Sequence, residues 1–397
     1  MLSQLIERST QYVREASLEE QNRIMPLIDF GPYVNQEPGA HERIIQQLRA
    51  ACESTGFFQI VNSPISPDVV KNAFRASKQF FELPFDEKLT LSKDMFSNRG
   101  YELMEDFVLE GEEDSSSPLE ISGIDFEAGS YPGEAPLPPS SIGYVLPPSS
   151  LANGEGSSMF DADMTTSNAV AHGDESISNE FRESFYFGND NLSKDRLLRP
   201  FQGPNKWPST AGSSFRKALV KYHDQMLAFA NHVMSLLAES LELSPDAFDE
   251  FCSDPTTSIR LLRYPSSPNR LGVQEHTDAD ALTLMSQDNV KGLEILDPVS
   301  NCFLSVSPAP GALIANLGDI MAILTNNRYK SSMHRVCNNS GSDRYTIPFF
   351  LQGNIDYVVA PLPGLGPSTA EPIAVEDLLR DHFQNSYTSH TTSLEVA

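Results

Sequence analysis

Basic residues are scarce in this chain. Of its 397 residues 28 are Lys or Arg against 54 Asp or Glu, a formal net charge of -26. Nucleic-acid binding draws on clustered Lys and Arg to neutralise phosphates, so this balance disfavours it. Cysteine is scarcer still. Cys52, Cys252, Cys302 and Cys337 lie far apart and form no CxxC pair, which argues against a disulfide framework and a structural zinc site. Reduced thiols in the cytoplasm are the simplest reading. No run approaches the roughly 18 apolar residues of a membrane span. The opening MLSQLIERSTQYVREASLEEQ is polar and periodic, without the apolar stretch of a secretory signal. A cytoplasmic protein that engages neither nucleic acid nor membrane is expected.

What remains is ordinary globular material, unevenly charged. Hydrophobic residues make up 40% of the chain, typical of a folded domain. The length suits one large domain or two ordinary ones. Between Glu102 and Ser184 there are 18 acidic residues and one basic, Arg182, a balance of -17 that leaves about -9 for the rest. The same 83 residues hold 7 Pro, 8 Gly and 15 Ser. Such a segment cannot bury enough apolar surface to offset its chain entropy. A mostly disordered acidic insert is expected over 102–182, with a lid or docking arm as the alternative.

The flanking segments read as ordered. IMPLIDF (24–30) is a short apolar strand, and HERIIQQLRAACESTGFFQIV (41–61) runs an amphipathic helix into a second strand, broken at Gly56. PDVVKNAFRASKQFFELPFDEKL (67–89) is helical at 3.6-residue spacing with an interruption at Pro84. A long amphipathic helix covers 216–243, carrying His223 and His232 as ordinary helix residues. From about residue 258 short strands follow one another: SIRLLRYP, ALTLMSQ, LEILDP, CFLSVSP, GALIANLG, SSMHRVCNN and RYTIPFFLQ. Helices followed by a run of strands predict a mixed α+β, mainly β fold: a double-stranded β-helix, or jelly roll, flanked by helices. AVEDLLRDHF (374–383) reads as a closing helix.

Within the strand region, QEHTDAD (274–280) places His276 and Asp278 two residues apart. On a strand such residues share a face, and would offer an imidazole nitrogen and a carboxylate oxygen to one space. His334 supplies a second imidazole from another short strand. Two His and one carboxylate form the facial triad that leaves open positions on non-haem Fe(II). A chance HxD, or a buried His–Asp pair with a purely structural role, is the plainer alternative. Ten residues past His334 comes Arg344, which shares a strand face with Thr346. A guanidinium beside a hydroxyl suits a carboxylate, and an inward Arg needs an anion to meet it. That anion is either a protein Asp or Glu or a ligand carboxylate.

Taken together these motifs resemble the 2-oxoglutarate- and Fe(II)-dependent oxygenase superfamily, in the branch of isopenicillin N synthase and plant and fungal small-molecule oxygenases. IMPLIDF, ACESTGFFQIVN, FFELPFDEKL and RGY carry the N-terminal match. ESFYFG, GPNKWP, RYP, HTDADALTLMSQD, GLEIL, NLGDIMAILTNNRYKSSMHRV and RYTIPFFL carry the rest. The match spans about 24–101 and 183–382. It divides the chain into an N-terminal helix-rich oxygenase region (24–101), the acidic insert (102–182), the jelly-roll core (183–382) and a flexible tail (383–397).

The resemblance implies His276, Asp278 and His334 as iron ligands. It implies Arg344, Thr346 (in place of the usual Ser) and Tyr264 as the binders of the far carboxylate of 2-oxoglutarate. Fe(II), 2-oxoglutarate and O2 would be used to hydroxylate or desaturate a small metabolite, releasing succinate and CO2. One departure is Leu262, where the family commonly has Asn. Phe185, Tyr186, Phe187 and Phe350 are candidates for the substrate pocket or for the core. An isopenicillin N synthase-like oxidase without 2-oxoglutarate, and a non-catalytic jelly-roll scaffold, are the competing readings.

Overall fold

Two-residue alternation gives each strand of the second half one apolar and one mixed face, and the chain folds these strands into two sheets. The structure, a computed structural model, describes residues 14–94, 96–103, 180–267, 271–366 and 371–391. The predicted acidic insert lies outside the described residues except at its two ends.

The chain begins with β1 (Arg14–Glu15), α1 (Leu18–Ile24), β2 (Leu27–Asp29), α2 (Gly31–Val34), α3 (Ala40–Ser54) and β3 (Phe57–Val61). Ser17 and Glu20 form a capping box at the start of α1. Helix α3 stops where expected. Gly56 takes φ 79°, and its N–H donates back to Ala51 O at 3.0 Å. A Cβ there would lie 2.0 Å from Lys330 O, so only glycine fits. Next come α4 (Pro67–Phe81), α5 (Phe85–Leu89) and β4 (Gly100–Leu103), with Pro84 between the two helices as predicted.

Order resumes with β5 (Glu183–Gly188), α6 (Gly212–Ser240), α7 (Asp249–Cys252) and β6 (Thr256–Tyr264). The strands β7 (Leu271–His276), β8 (Leu282–Gln287), β9 (Leu293–Asp297), β10 (Cys302–Ser305) and β11 (Leu313–Leu317) follow. Helix α8 (Asp319–Leu324) precedes β12 (His334–Cys337) and β13 (Arg344–Gly353). A small pair, β14 (Val358–Val359) and β15 (Ile373–Ala374), leads into α9 (Val375–Thr391). The closing helix thus continues past its predicted end at 383, into the segment expected to be a flexible tail.

One sheet has the order β2-β3-β11-β8-β13-β6-β5-β4, the other β1-β10-β9-β12-β7. Strands distant in sequence are neighbours in both, as the jelly-roll topology requires. The outer face of the larger sheet is covered by helices. Ile347, Phe349 and Leu351 of β13 pack into the main core with Phe80 of α4 and Leu219, Tyr222 and Met226 of α6. The three- and four-residue spacing of the α6 positions presents one apolar stripe to the sheet. Tyr222 Oη fixes the helix there by donating to Ile347 O at 2.8 Å.

His223 and His232 behave as ordinary helix residues. His223 is buried 2.8 Å from Thr257 Oγ1, and His232 stacks on Tyr33. The opposite, inner face of the larger sheet looks toward the smaller sheet, and the chemistry collects there.

Candidate active site

His276 ends β7 and His334 begins β12; the two are register partners in one antiparallel ladder. Their rings lie 4.2 Å apart between centroids. The strand stops at His276, however, and Asp278 lies in the turn beyond it. The shared-strand-face expectation for His276 and Asp278 is therefore corrected: the turn, not the pleat, brings the carboxylate in. Asp278 Oδ1 sits 3.8 Å from His276 Nε2 and 3.9 Å from His334 Nε2. Among the described residues this trio is the one group of His, Cys, Asp or Glu placed to hold a metal ion, its donor atoms within 4.8 Å of one another.

Surrounding groups orient each donor. His276 Nδ1 lies 2.7 Å from Gln274 O and His334 Nδ1 3.1 Å from Ser332 O. A carbonyl only accepts, so both Nδ1 atoms carry the proton and both Nε2 lone pairs face Asp278. Asp278 Oδ2 accepts from Thr283 Oγ1 and Asn316 Nδ2, each at 2.7 Å, which leaves Oδ1 free on the histidine side. Burial, reinforced by the neighbouring His334, pulls His276 down to about 3, so its imidazole is neutral and able to ligate. Burial opposes ionisation of Asp278, but the hydrogen bonds donated by Asn316 and Thr283 favour the carboxylate, and its pKa lies below the usual range.

A neighbouring carboxyl behaves in the opposite way. Asp280 is buried, and burial together with Asp278 raises its pKa well above the usual range. Thr283 Oγ1 lies 2.8 Å from Asp280 Oδ2 as well as 2.7 Å from Asp278 Oδ2. A hydroxyl has one proton to give. A protonated Asp280 donating to Thr283, which donates to Asp278, satisfies both contacts.

Arg344 and Thr346 lie on the inner face of β13, and both are fully buried. Arg344 Nε donates to Val290 O at 3.2 Å and Nη2 to Gln287 Oε1 at 3.1 Å. Its Nη1 and the Thr346 hydroxyl have no partner among the described residues. Among the described residues no Asp or Glu forms an ion pair with Arg344. Tyr264 is its register partner on β6, with the Arg344 guanidinium 5.2 Å from the ring centroid. Two unpartnered buried donors on one strand face fit an incoming carboxylate. Leu262 is the register partner of Thr346 and packs with Tyr264, Val336 and Val273. Leu262, the departure noted in the sequence, thus forms an apolar wall at this position.

The four candidate aromatics divide. Phe185 and Phe187 face outward into the main core beside Trp207. Tyr186 and Phe350 flank the Arg260 guanidinium at 4.8 and 4.9 Å. Arg260, Asp280, Thr283 and Asn316 were not singled out from the sequence. An Arg inside the apolar run SIRLLRYP was the available signal for the first of them.

The chain matches the family description "2OG-Fe(II) oxygenase superfamily" over residues 254–353 and "non-haem dioxygenase in morphine synthesis N-terminal" over 25–125. It is 33% identical to the 2-oxoglutarate-Fe(II) type oxidoreductase hxnY of Emericella nidulans, covering 91% of this chain and 90% of that protein. It is 31% identical to clavatol oxidase claD of Penicillium crustosum, covering 91% and 96%. In fold it is similar to a full-length Neurospora crassa protein solved in complex with alpha-KG, at a TM-score of 0.70 and 22% identity over 94% of this chain and all of that one. The chain belongs to the 2-oxoglutarate–Fe(II) oxygenase superfamily and is an oxidoreductase that uses Fe(II), 2-oxoglutarate and O2.

Proposed function

We propose that His276, Asp278 and His334 hold the Fe(II), and that Arg344, Thr346 and Tyr264 hold the far carboxylate of 2-oxoglutarate. The observation that carries this reading is the pair of unpartnered buried donors, Arg344 Nη1 and Thr346 Oγ1, on a strand beside a ready triad. When bound, the iron and 2-oxoglutarate together reduce O2, releasing succinate and CO2 and supplying the oxidant for a substrate C–H bond.

The chain's own residues do the positioning. The Nδ1–H bonds to Gln274 O and Ser332 O hold both imidazoles as Nε2 ligands. Thr283 and Asn316 hold Asp278 so that a single oxygen faces the histidines. Arg344 and Thr346 donate to the diacid's far end, which sets its direction between the sheets. Leu262, Val336 and Val273 keep water from that end.

Hydroxylation of a small organic metabolite is the default outcome, with desaturation or ring closure open to the same chemistry. Relatives that include a clavatol oxidase support a substrate from secondary metabolism. A cytoplasmic setting is supported by four unpaired cysteines. No helix among the described residues is long and apolar enough to cross a membrane.

Anaerobic visible spectroscopy of the Fe(II) protein titrated with 2-oxoglutarate tests the assignment. A weak charge-transfer band that appears in the wild type and is lost in His276→Ala is expected. Iron binding without the band would point to an oxidase that works without 2-oxoglutarate. Failure to bind iron would point to a scaffold.

A further inference from the structure

The inner face of β6 carries a second cation that the assigned roles leave unused. Arg260, Leu262 and Tyr264 alternate along the strand and so share that face. Leu262 and Tyr264 are register partners of Thr346 and Arg344. At about 3.3 Å per residue, Arg260 stands roughly 13 Å from Tyr264 along the strand, beyond the end assigned to the cosubstrate. Its guanidinium lies between the rings of Tyr186 and Phe350, at 4.8 and 4.9 Å from their centroids. Its Nε is buried without a hydrogen bond. Among the described residues it has neither a hydrogen-bond nor an ion-pair partner.

The carboxyls nearest this charge have other partners: Glu102 accepts from Tyr186 Oη at 2.5 Å and from Lys93 Nζ at 2.7 Å. Asp278 is committed to the triad, Thr283 and Asn316. Asp280 is buried against Thr283 Oγ1 at 2.8 Å and forms no ion pair with Arg260. Arg260 is thus left, among the described residues, with aromatic rings rather than a carboxylate beside its guanidinium. A half-buried guanidinium of this kind calls for an anion, and its planar fork suits a carboxylate above other groups.

We propose that Arg260 receives a carboxylate of the substrate, with Tyr186 and Phe350 packing beside it, so that the enzyme acts on a small organic acid. This deepens the functional reading above and rests on it. The carboxylate anchored at Arg260 leaves the substrate's apolar body directed from the sheet toward the His276–Asp278–His334 trio. The salt link thereby selects which C–H bond is presented as well as which molecules bind.

The test is calorimetric titration of the full chain, kept anaerobic with Fe(II) and saturating 2-oxoglutarate so that Arg344 is already engaged. The probes are benzoate and phenylacetate, each against its neutral amide. The wild type should bind the acids at least about tenfold more tightly than the amides, the scale of a charge-assisted pair. Arg260→Gln should erase the difference and Arg260→Lys should keep part of it, with the affinity of all three proteins for 2-oxoglutarate within about twofold, as expected for sites this far apart. Equal affinities for acid and amide in the wild type, no measurable binding of either acid, or a preference that survives in Arg260→Gln would overturn the proposal. Failure of the wild type to bind 2-oxoglutarate would sink the cosubstrate assignment instead. The acid-over-amide comparison would still decide on Arg260, because the probes need no turnover.

Discussion

Arg344 and Tyr264 face one another across the β6–β13 ladder, and the guanidinium lies over the phenol ring, 5.2 Å from its centroid. The ring covers one side of the cation while backbone Val290 and the Gln287 amide occupy Nε and Nη2. The single nitrogen left over, Nη1, is the one a diacid can reach. Arg344→Ala should therefore weaken 2-oxoglutarate binding by about ten- to a hundredfold, the worth of a charged hydrogen bond or two. Iron affinity should be nearly unchanged, because Arg344 touches none of the triad. Titration of both ligands checks this, and equal 2-oxoglutarate affinity in mutant and wild type would contradict it.

Gly318 tests the seating of the triad from behind. A Cβ there would lie 2.3 Å from Asp280 O, 2.5 Å from Asp280 Oδ1 and 2.6 Å from Asp278 O. Backbone is what it meets, so the 278–280 turn must move. Gly318→Ala should lower iron affinity by roughly ten- to a hundredfold, the usual cost of disturbing groups that orient metal ligands. Unaltered iron binding would show that the turn absorbs the methyl.

Deletion of the acidic segment should leave the fold standing. Leu103 and Glu183 are register partners in the β4–β5 antiparallel pair, so the chain leaves and re-enters at neighbouring points. Replacing residues 105–178 by a short Gly/Ser turn closes the same gap with a shorter loop, which costs less closure entropy. Thermal unfolding should shift by a few degrees at most; loss of the cooperative transition would assign the segment a structural role.

Asp297 predicts an acid-sensitive contribution to stability. It accepts from Arg23 Nη2 at 3.0 Å, Val299 N at 3.2 Å, and Ser300 N and Oγ at 3.0 and 2.6 Å. The Arg23 bond above all, with the bonds from Ser300 and Val299, holds its carboxyl well below the ordinary range. A lowered folded-state pKa stabilises the fold above the unfolded value of about 3.9, and that contribution is lost as the pH falls through the folded pKa. Asp297→Ala should cost about 1–3 kcal/mol at neutral pH, and the gap to wild type should narrow below about pH 4. A gap that stays constant with pH would refute the electrostatic origin.

Much of this was legible in the residues, and the exceptions share a cause. Strand runs such as RYTIPFFLQ alternate on a period of two, so Arg344 and Thr346 could be placed on one face, while the 3.6-residue stripe of α6 marked its buried side. Asp278 was selected for a strand geometry it does not have, because where a strand ends depends on the turn that follows. Phe185 and Tyr186 are neighbours with opposite fates, core and inner face; the alternation was readable, but which side is inner is decided by strands far along the chain, β6 and β13. Asp280, Thr283 and Asn316 gain their roles only when β8 and β11 pair. The full length of α9 carries no periodic signal strong enough to announce itself beyond 383.

The ladder that joins His276 to His334 has a consequence for the protein's lifetime. An ion gripped by both side chains would tie β7 to β12, a clamp the unfolded chain does not offer. By mass action, free iron at a hundred times its dissociation constant would add about 2.7 kcal/mol to the folded state. Scarcity of iron would then enlarge the unfolded fraction exposed to proteases, so that the amount of enzyme, as well as its turnover, follows the metal supply.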